Sequence, residues 1–164
     1  MMVAWAVVGS TTTKRSAGEL STMYETILVG TDGSKAAEAA LAHAIDIAES
    51  LGAAVHVLTV VDTNESPFRF GVEEVDAIDR ASTELIDDIV AAHEDSDVTI
   101  RGEVRRGRPE QTIVEYADSI GADVIVVGQQ GEADLEDRLL GSTTDRIARL
   151  TNVPLIVVPN VTDF

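Results

Sequence analysis

The sequence predicts an α/β fold, a doubly wound sheet of five parallel strands covered by helices on both faces. Three observations carry that prediction. From Tyr24 onward, short apolar runs alternate with longer segments whose apolar residues recur every three or four positions. The runs are nearly uninterrupted, as in Asp123-Val-Ile-Val-Val127, which suits strands buried on both faces of a parallel sheet. Turn residues such as Gly52, Gly107 and Gly128 stand where one period gives way to the other.

Residues 1 to 22 do not share this pattern. Met1 to Val8 is apolar, but Lys14 and Arg15 follow it rather than precede it, and the run is too short for a secretory signal. Gly9 to Thr13 and Ser16 to Gly18 have the composition of turns or disorder. The expectation is an extension outside the fold, or a start placed too early, with the domain spanning 23 to 164. A short edge strand from Val3 to Val8 is the alternative.

Each later element follows from local signals. Tyr24 to Val29 reads as the first strand, and Asp32-Gly-Ser34 as a turn ending in a capping serine. Ala37, Ala40, Leu41, Ala44, Ala48 and Leu51 then mark one face of a helix that Gly52 ends. Val55 to Val61 is the second strand, and a longer loop with Pro67 runs from Asp62 to Gly71. Val75, Ile78, Leu85, Ile86 and Ile89 line the second helix, and Val98 to Val104 forms the third strand. Pro109 suits the first turn of the third helix, where its missing N–H is harmless, and Ile113, Val114, Ala117 and Ile120 are that helix's buried face. Val124 to Val127, Thr143 to Leu150 and Pro154 to Val158 complete the alternation as strand, helix and strand.

Length and composition bound the function. A chain of 164 residues makes one domain with a full core. No run approaches a membrane span, and the absence of cysteine removes disulfides and thiolate metal sites. His43, His56 and His93 stand at unrelated spacings, which gives no pattern for a metal. The expected location is cytoplasmic. Asp and Glu number 29 against 12 Lys and Arg, for a net charge of −17, and only Lys14 and Lys35 are lysines. That balance argues against nucleic-acid binding, since the phosphate backbone would be repelled. It also fits a salt-adapted source such as a halophilic archaeon, because self-repulsion becomes tolerable when the screening length falls to roughly 3 Å near 1 M salt.

The most specific pattern is Gly128-Gln-Gln-Gly131, nine residues, then Gly141-Ser142. It begins where a strand ends and stops where a helix starts. Glycine lets a backbone approach an anion closely, and the first amides of a helix have no acceptor within it. Ser142 can cap the helix or donate its hydroxyl to a phosphate oxygen. In parallel sheets ligands sit beyond the carboxyl ends of the strands, and Asp32 and Gly128 both fall on that edge.

The spacing G-x2-G-x9-G-[S/T] resembles that of the nucleotide-binding universal stress proteins. The likeness runs from about Met23 to Val158 and includes Ile27-Leu-Val-Gly-Thr-Asp-Gly-Ser34, Val60-Val-Asp62, Gly107-Arg-Pro109 and Asn152-Val-Pro-Leu-Ile-Val-Val-Pro159. It implies a Rossmann-like sheet of strand order 3-2-1-4-5 with ATP between the first and fourth strands. Thr31, Asp32 and Val60 should then surround adenine and ribose. Val127, Gly128, Gly131, Gly141, Ser142 and Thr143 should contact ribose and phosphates. Asp32 can assist a divalent cation such as magnesium carried by the nucleotide, with no metal site built from protein alone. Related proteins also pair the fifth strand with its copy across a two-fold axis, which predicts a homodimer through Pro154 to Val158.

Glu132, Asp134, Glu136 and Asp137 occupy the nine-residue stretch, where relatives more often carry basic or apolar residues. They read as a solvated acidic loop. Arg101, Arg105, Arg106 and Arg108 read as a turn paired with nearby acids, with anion recruitment as the alternative. The expected function is an ATP-binding regulatory homodimer of the stress response and not an enzyme. No G-x4-G-K-[S/T] loop is present, and no base paired to a nucleophile is evident. A phosphorylated receiver would need an acidic pair after the first strand and a lysine after the fifth, and no lysine follows Lys35. The alternatives are a partner-binding module that has lost its nucleotide, and a slow ATPase.

Overall fold

A computed structural model describes residues 24–63, 72–129 and 140–159, together with the backbone of 4–8 and 11–15. Strands β1 (Ala4–Val8) and β2 (Thr11–Arg15) form an antiparallel ladder of their own, with Trp5 opposite Lys14. They belong to a separate two-stranded sheet.

The main sheet contains β3 (Thr26–Gly30), β4 (Ala54–Asp62), β5 (Ile100–Gly107), β6 (Val124–Gly128) and β7 (Leu155–Val158). All four pairings are parallel, in the spatial order β5-β4-β3-β6-β7. Counted within this sheet, that is the 3-2-1-4-5 order expected. Leu28 stands in register with His56 on one side and Ile125 on the other.

Helices α1 (Lys35–Leu51), α2 (Val72–Ala92), α3 (Pro109–Ile120) and α4 (Ser142–Leu150) connect the strands. Ser34 caps α1 by accepting the Ala37 N–H at 3.2 Å, and Gly52 closes it in the left-handed region at φ 70°. Pro109 opens α3 and Gly121, at φ 64°, ends it. The third strand starts at Ile100 and runs through both Arg105 and Arg106, later than its apolar residues suggest. Val98 is buried ahead of it as the anchor of a turn, where its N–H donates to Ser96 Oγ at 3.2 Å. An edge strand tolerates the arginines because one of its sides faces solvent.

Side-chain alternation divides the core in two. Ile27, Val29, Val55, Val57, Val124 and Val126 pack under α1 and α2. Leu28, Leu58, Ile125 and Val127 pack with Ile113, Ala117 and Ile147 on the opposite face, under α3 and α4. Burying one such aliphatic side chain is worth roughly 1.5–3 kcal/mol. An exposed ion pair such as Arg149–Asp145 contributes about 0–1 kcal/mol. The two apolar layers, not surface charge pairs, therefore hold the fold.

Candidate functional site

The helices change faces between β3 and β6. The chain leaves β3 toward α1 and leaves β6 toward α4, so the two carboxyl ends diverge and open a crevice. A cavity of about 210 Å³ lies there. Leu58, Val60, Ile113 and Val127 give it apolar walls, and Thr31, Asp32, Ser34, Thr143 and Thr144 supply polar groups.

Six of the nine residues expected at the site line this cavity: Thr31, Asp32, Val60, Val127, Gly128 and Thr143. Gly141 and Ser142 stand at the entry to α4. Gly141 takes the capping position, and Ser142, expected as a possible cap, is the first helical residue. The Gly141 N–H donates to the Gln129 carbonyl at 2.7 Å, and its own carbonyl accepts the Asp145 N–H at 2.9 Å. Gly131 and the acidic stretch from Glu132 to Asp137 lie outside the described residues.

The loop after β3 is held by its own hydrogen bonds. Asp32 Oδ1 accepts the Ser34 N–H at 2.9 Å, and Thr31 Oγ1 accepts the Gly33 N–H at 3.2 Å. The Thr31 N–H donates to the Leu58 carbonyl at 2.9 Å. Thr59, buried in β4, donates its hydroxyl to the Thr31 carbonyl at 2.8 Å. Asp32 thus combines a structural bond with an exposed carboxylate facing the crevice.

The rim after β6 is held in the same way. Buried Thr144 donates its hydroxyl to the Gly128 carbonyl at 2.9 Å, tying the end of the strand to the first turn of α4. Gly128 has a packing reason to be glycine. A Cβ there would lie 2.9 Å from backbone atoms of Ala36 in α1, closer than real Cβ contacts come. The glycine expected to admit a phosphate is thus also the residue that lets α1 seat on β6.

Thr59, Thr144 and Glu110 escaped the sequence reading. Thr59 left a trace as a hydroxyl inside the apolar run Val55 to Val61, and Thr144 as a second threonine after the glycine motif. Of the arginine cluster, Arg105 Nε pairs with Glu103 at 2.9 Å and its guanidinium sits 5.3 Å from the Tyr116 ring centre. Arg106 pairs with Asp79 of α2. These two pair with nearby acids as expected, but from strand β5 rather than from a turn. Nearby His56 is held below its ordinary pKa by partial burial and then by Arg101.

Residues 23–159 match the Universal stress protein family. The chain is 34% identical over 142 residues to universal stress protein MJ0531 of Methanocaldococcus jannaschii, covering 83% of this chain and 82% of that protein. Among solved structures it is similar to protein MJ0577 of the same organism, at TM-score 0.77 and 30% identity, covering 86% of this chain and 99% of that one. It is also similar to a universal stress protein solved in complex with cAMP, at TM-score 0.57 and 28% identity, covering 84% and 98%.

Proposed function

The chain belongs to the universal stress protein family, and on that premise we propose that it is an ATP-binding regulatory protein of the stress response that acts as a cytoplasmic homodimer. The observation that carries this reading is the meeting of an apolar-walled cavity with the entry to α4 at the switch point of the sheet. Leu58, Val60, Ile113 and Val127 suit the faces of an adenine. Thr143 and the first-turn amides of α4 suit phosphate oxygens, which a helix N-terminus favours. Asp32 stands where its carboxylate would take ribose hydroxyls or assist magnesium carried by the nucleotide. The cAMP complex of a relative supports an adenine nucleotide as the ligand class.

Binding without turnover is part of this proposal, and a steady-state assay of ATP hydrolysis tests it. The homodimer reading rests on β7. Its four residues, Leu155 to Val158, are all apolar and half-buried, and they occupy one edge of the sheet. Such an edge invites pairing with a copy of itself.

Mass spectrometry of nucleotide released from protein purified in molar potassium chloride tests the ligand. ATP in near-stoichiometric amount is the expected result. Release of AMP or cAMP instead would narrow the site to a monophosphate. If nothing is released and millimolar ATP does not bind, the nucleotide reading fails. Light scattering at micromolar concentration should report a dimer, and Ile156→Asp, whose side chain packs against the core, should break the dimer or the fold by burying a carboxylate without a partner. A monomeric wild type would refute the interface.

A further inference from the structure

The described residues contain three buried polar or charged side chains, Thr59, Glu110 and Thr144. Thr144 lines the cavity, and Thr59 and Glu110 each stand next to residues that line it, Leu58 and Val60 for the one and Pro109 for the other. Thr59 holds the Thr31 carbonyl on one rim and Thr144 holds the Gly128 carbonyl on the other. Glu110 is the second residue of α3, between Pro109 and Ile113, which both line the cavity. Its Oε1 lies 3.5 Å from Nη1 of Arg146. Arg146 belongs to α4, between Thr143 and Ile147, which line the cavity from the other helix. The ion pair therefore ties α3 to α4 at the level of the crevice.

The two partners are unequally placed. The Glu110 side chain is 12% exposed, whereas Arg146 is 62% exposed. A carboxylate that far out of water draws on its cation as well as on the first-turn amides of α3. Without Arg146 it loses its ion-pair partner, and an outward shift of that turn would hydrate it. Pro109 and Ile113 would move with that turn, and the cavity wall with them.

We propose that Glu110 and Arg146 are positioning residues, which fix the separation of α3 and α4 and so the width of the nucleotide cavity. The proposal rests on reading that cavity as the nucleotide site. It makes an unusual demand on variants, because the damage comes from the orphaned acid rather than from the lost arginine. Arg146→Ala should be harmful, and Glu110→Gln should rescue it by removing the charge that needs a partner.

Calorimetric titration of ATP with magnesium in molar potassium chloride, on wild type, both single variants and the double variant, tests this. Arg146→Ala should weaken ATP about tenfold, and the double variant should return to within about threefold of wild type. Amide exchange of ligand-free protein gives a second readout. The Thr112 N–H donates to the Arg108 carbonyl at 2.9 Å in the first turn of α3. It should exchange faster in Arg146→Ala and normally in the double variant. Wild-type affinity in Arg146→Ala, or a double variant as weak as the single one, would overturn the proposal and leave the nucleotide reading intact. If wild type binds no ATP, that reading fails. The exchange of Thr112 then decides alone whether the pair holds the wall, and an unchanged rate overturns it.

Discussion

The carboxyl ends of the strands enclose about 210 Å³ between β3 and β6, while the amino ends open onto a concavity of about 840 Å³ between the ends of α1 and α2. The larger space is the poorer candidate for an anion. Glu25, Glu49, Asp95 and Asp97 line it, and α1 and α2 present their C-terminal ends there, where the helix dipole is negative. At the other end α1, α3 and α4 all begin beside the cavity, contributing Ser34, Pro109 and Thr143 to its lining. In a parallel α/β sheet, chain direction alone gives the two ends opposite electrostatic character. Polarity and fixed geometry, rather than volume, mark the site.

The two ends should therefore answer mutation differently, and the largest effect belongs to Gly128. Gly128→Val forces a branched side chain against the Ala36 backbone. It should destabilise the fold by about 3 kcal/mol or more in a denaturant titration. Glu49→Gln, at the amino end, should stay within about 0.5 kcal/mol of wild type. A stable Gly128→Val would mean that α1 can slide off β6 and that the rim is less constrained than its packing indicates.

Thr144→Val keeps the shape of the side chain and removes the donor to the Gly128 carbonyl. The expected loss is about 1–3 kcal/mol, the range for stranding a buried polar group. Weaker ATP binding should accompany it, because the rim after β6 is no longer fixed. Unchanged stability and affinity would show that the threonine bond is incidental.

Salt sharpens the comparison with a smaller effect. Dilution from molar to tens-of-millimolar potassium chloride should lower the melting temperature, since a net charge of −17 then repels itself over a longer range. Neutralising Glu49, Asp95 and Asp97 together should flatten that dependence without altering ATP affinity. A flat wild-type response would remove the case for salt adaptation.

How much of this was readable from residues follows the same division. Apolar runs and glycine or proline punctuation made the five strands, their parallel sense and most helix ends legible, because burial on both faces leaves a direct mark on composition. The family pattern placed Thr31, Asp32, Val60, Val127, Gly128 and Thr143 at one edge, and the cavity lies there. What stayed hidden depends on contacts between distant segments. Thr59 bonds a carbonyl 28 positions away, and Thr144 one 16 positions away. Glu110 finds its arginine on another helix. The packing role of Gly128 is visible only once Ala36 is brought beside it. The start of β5 was misplaced because Val98 is buried without being in a strand, while exposed arginines are. An edge strand breaks the rule by which its neighbours are recognised.

The proposed function requires ATP to occupy the carboxyl-end cavity. Thermal unfolding in molar potassium chloride, with and without ATP and magnesium, tests it most directly when wild type is compared with Val60→Trp, whose indole would fill the apolar wall. Ligand at 100 times its dissociation constant stabilises a fold by about 2.7 kcal/mol. In a domain of this size that raises the melting temperature by about 5–10 °C. That rise is expected in wild type, with little or none in Val60→Trp. No rise in wild type at millimolar ATP, or an equal rise in both proteins, would contradict it.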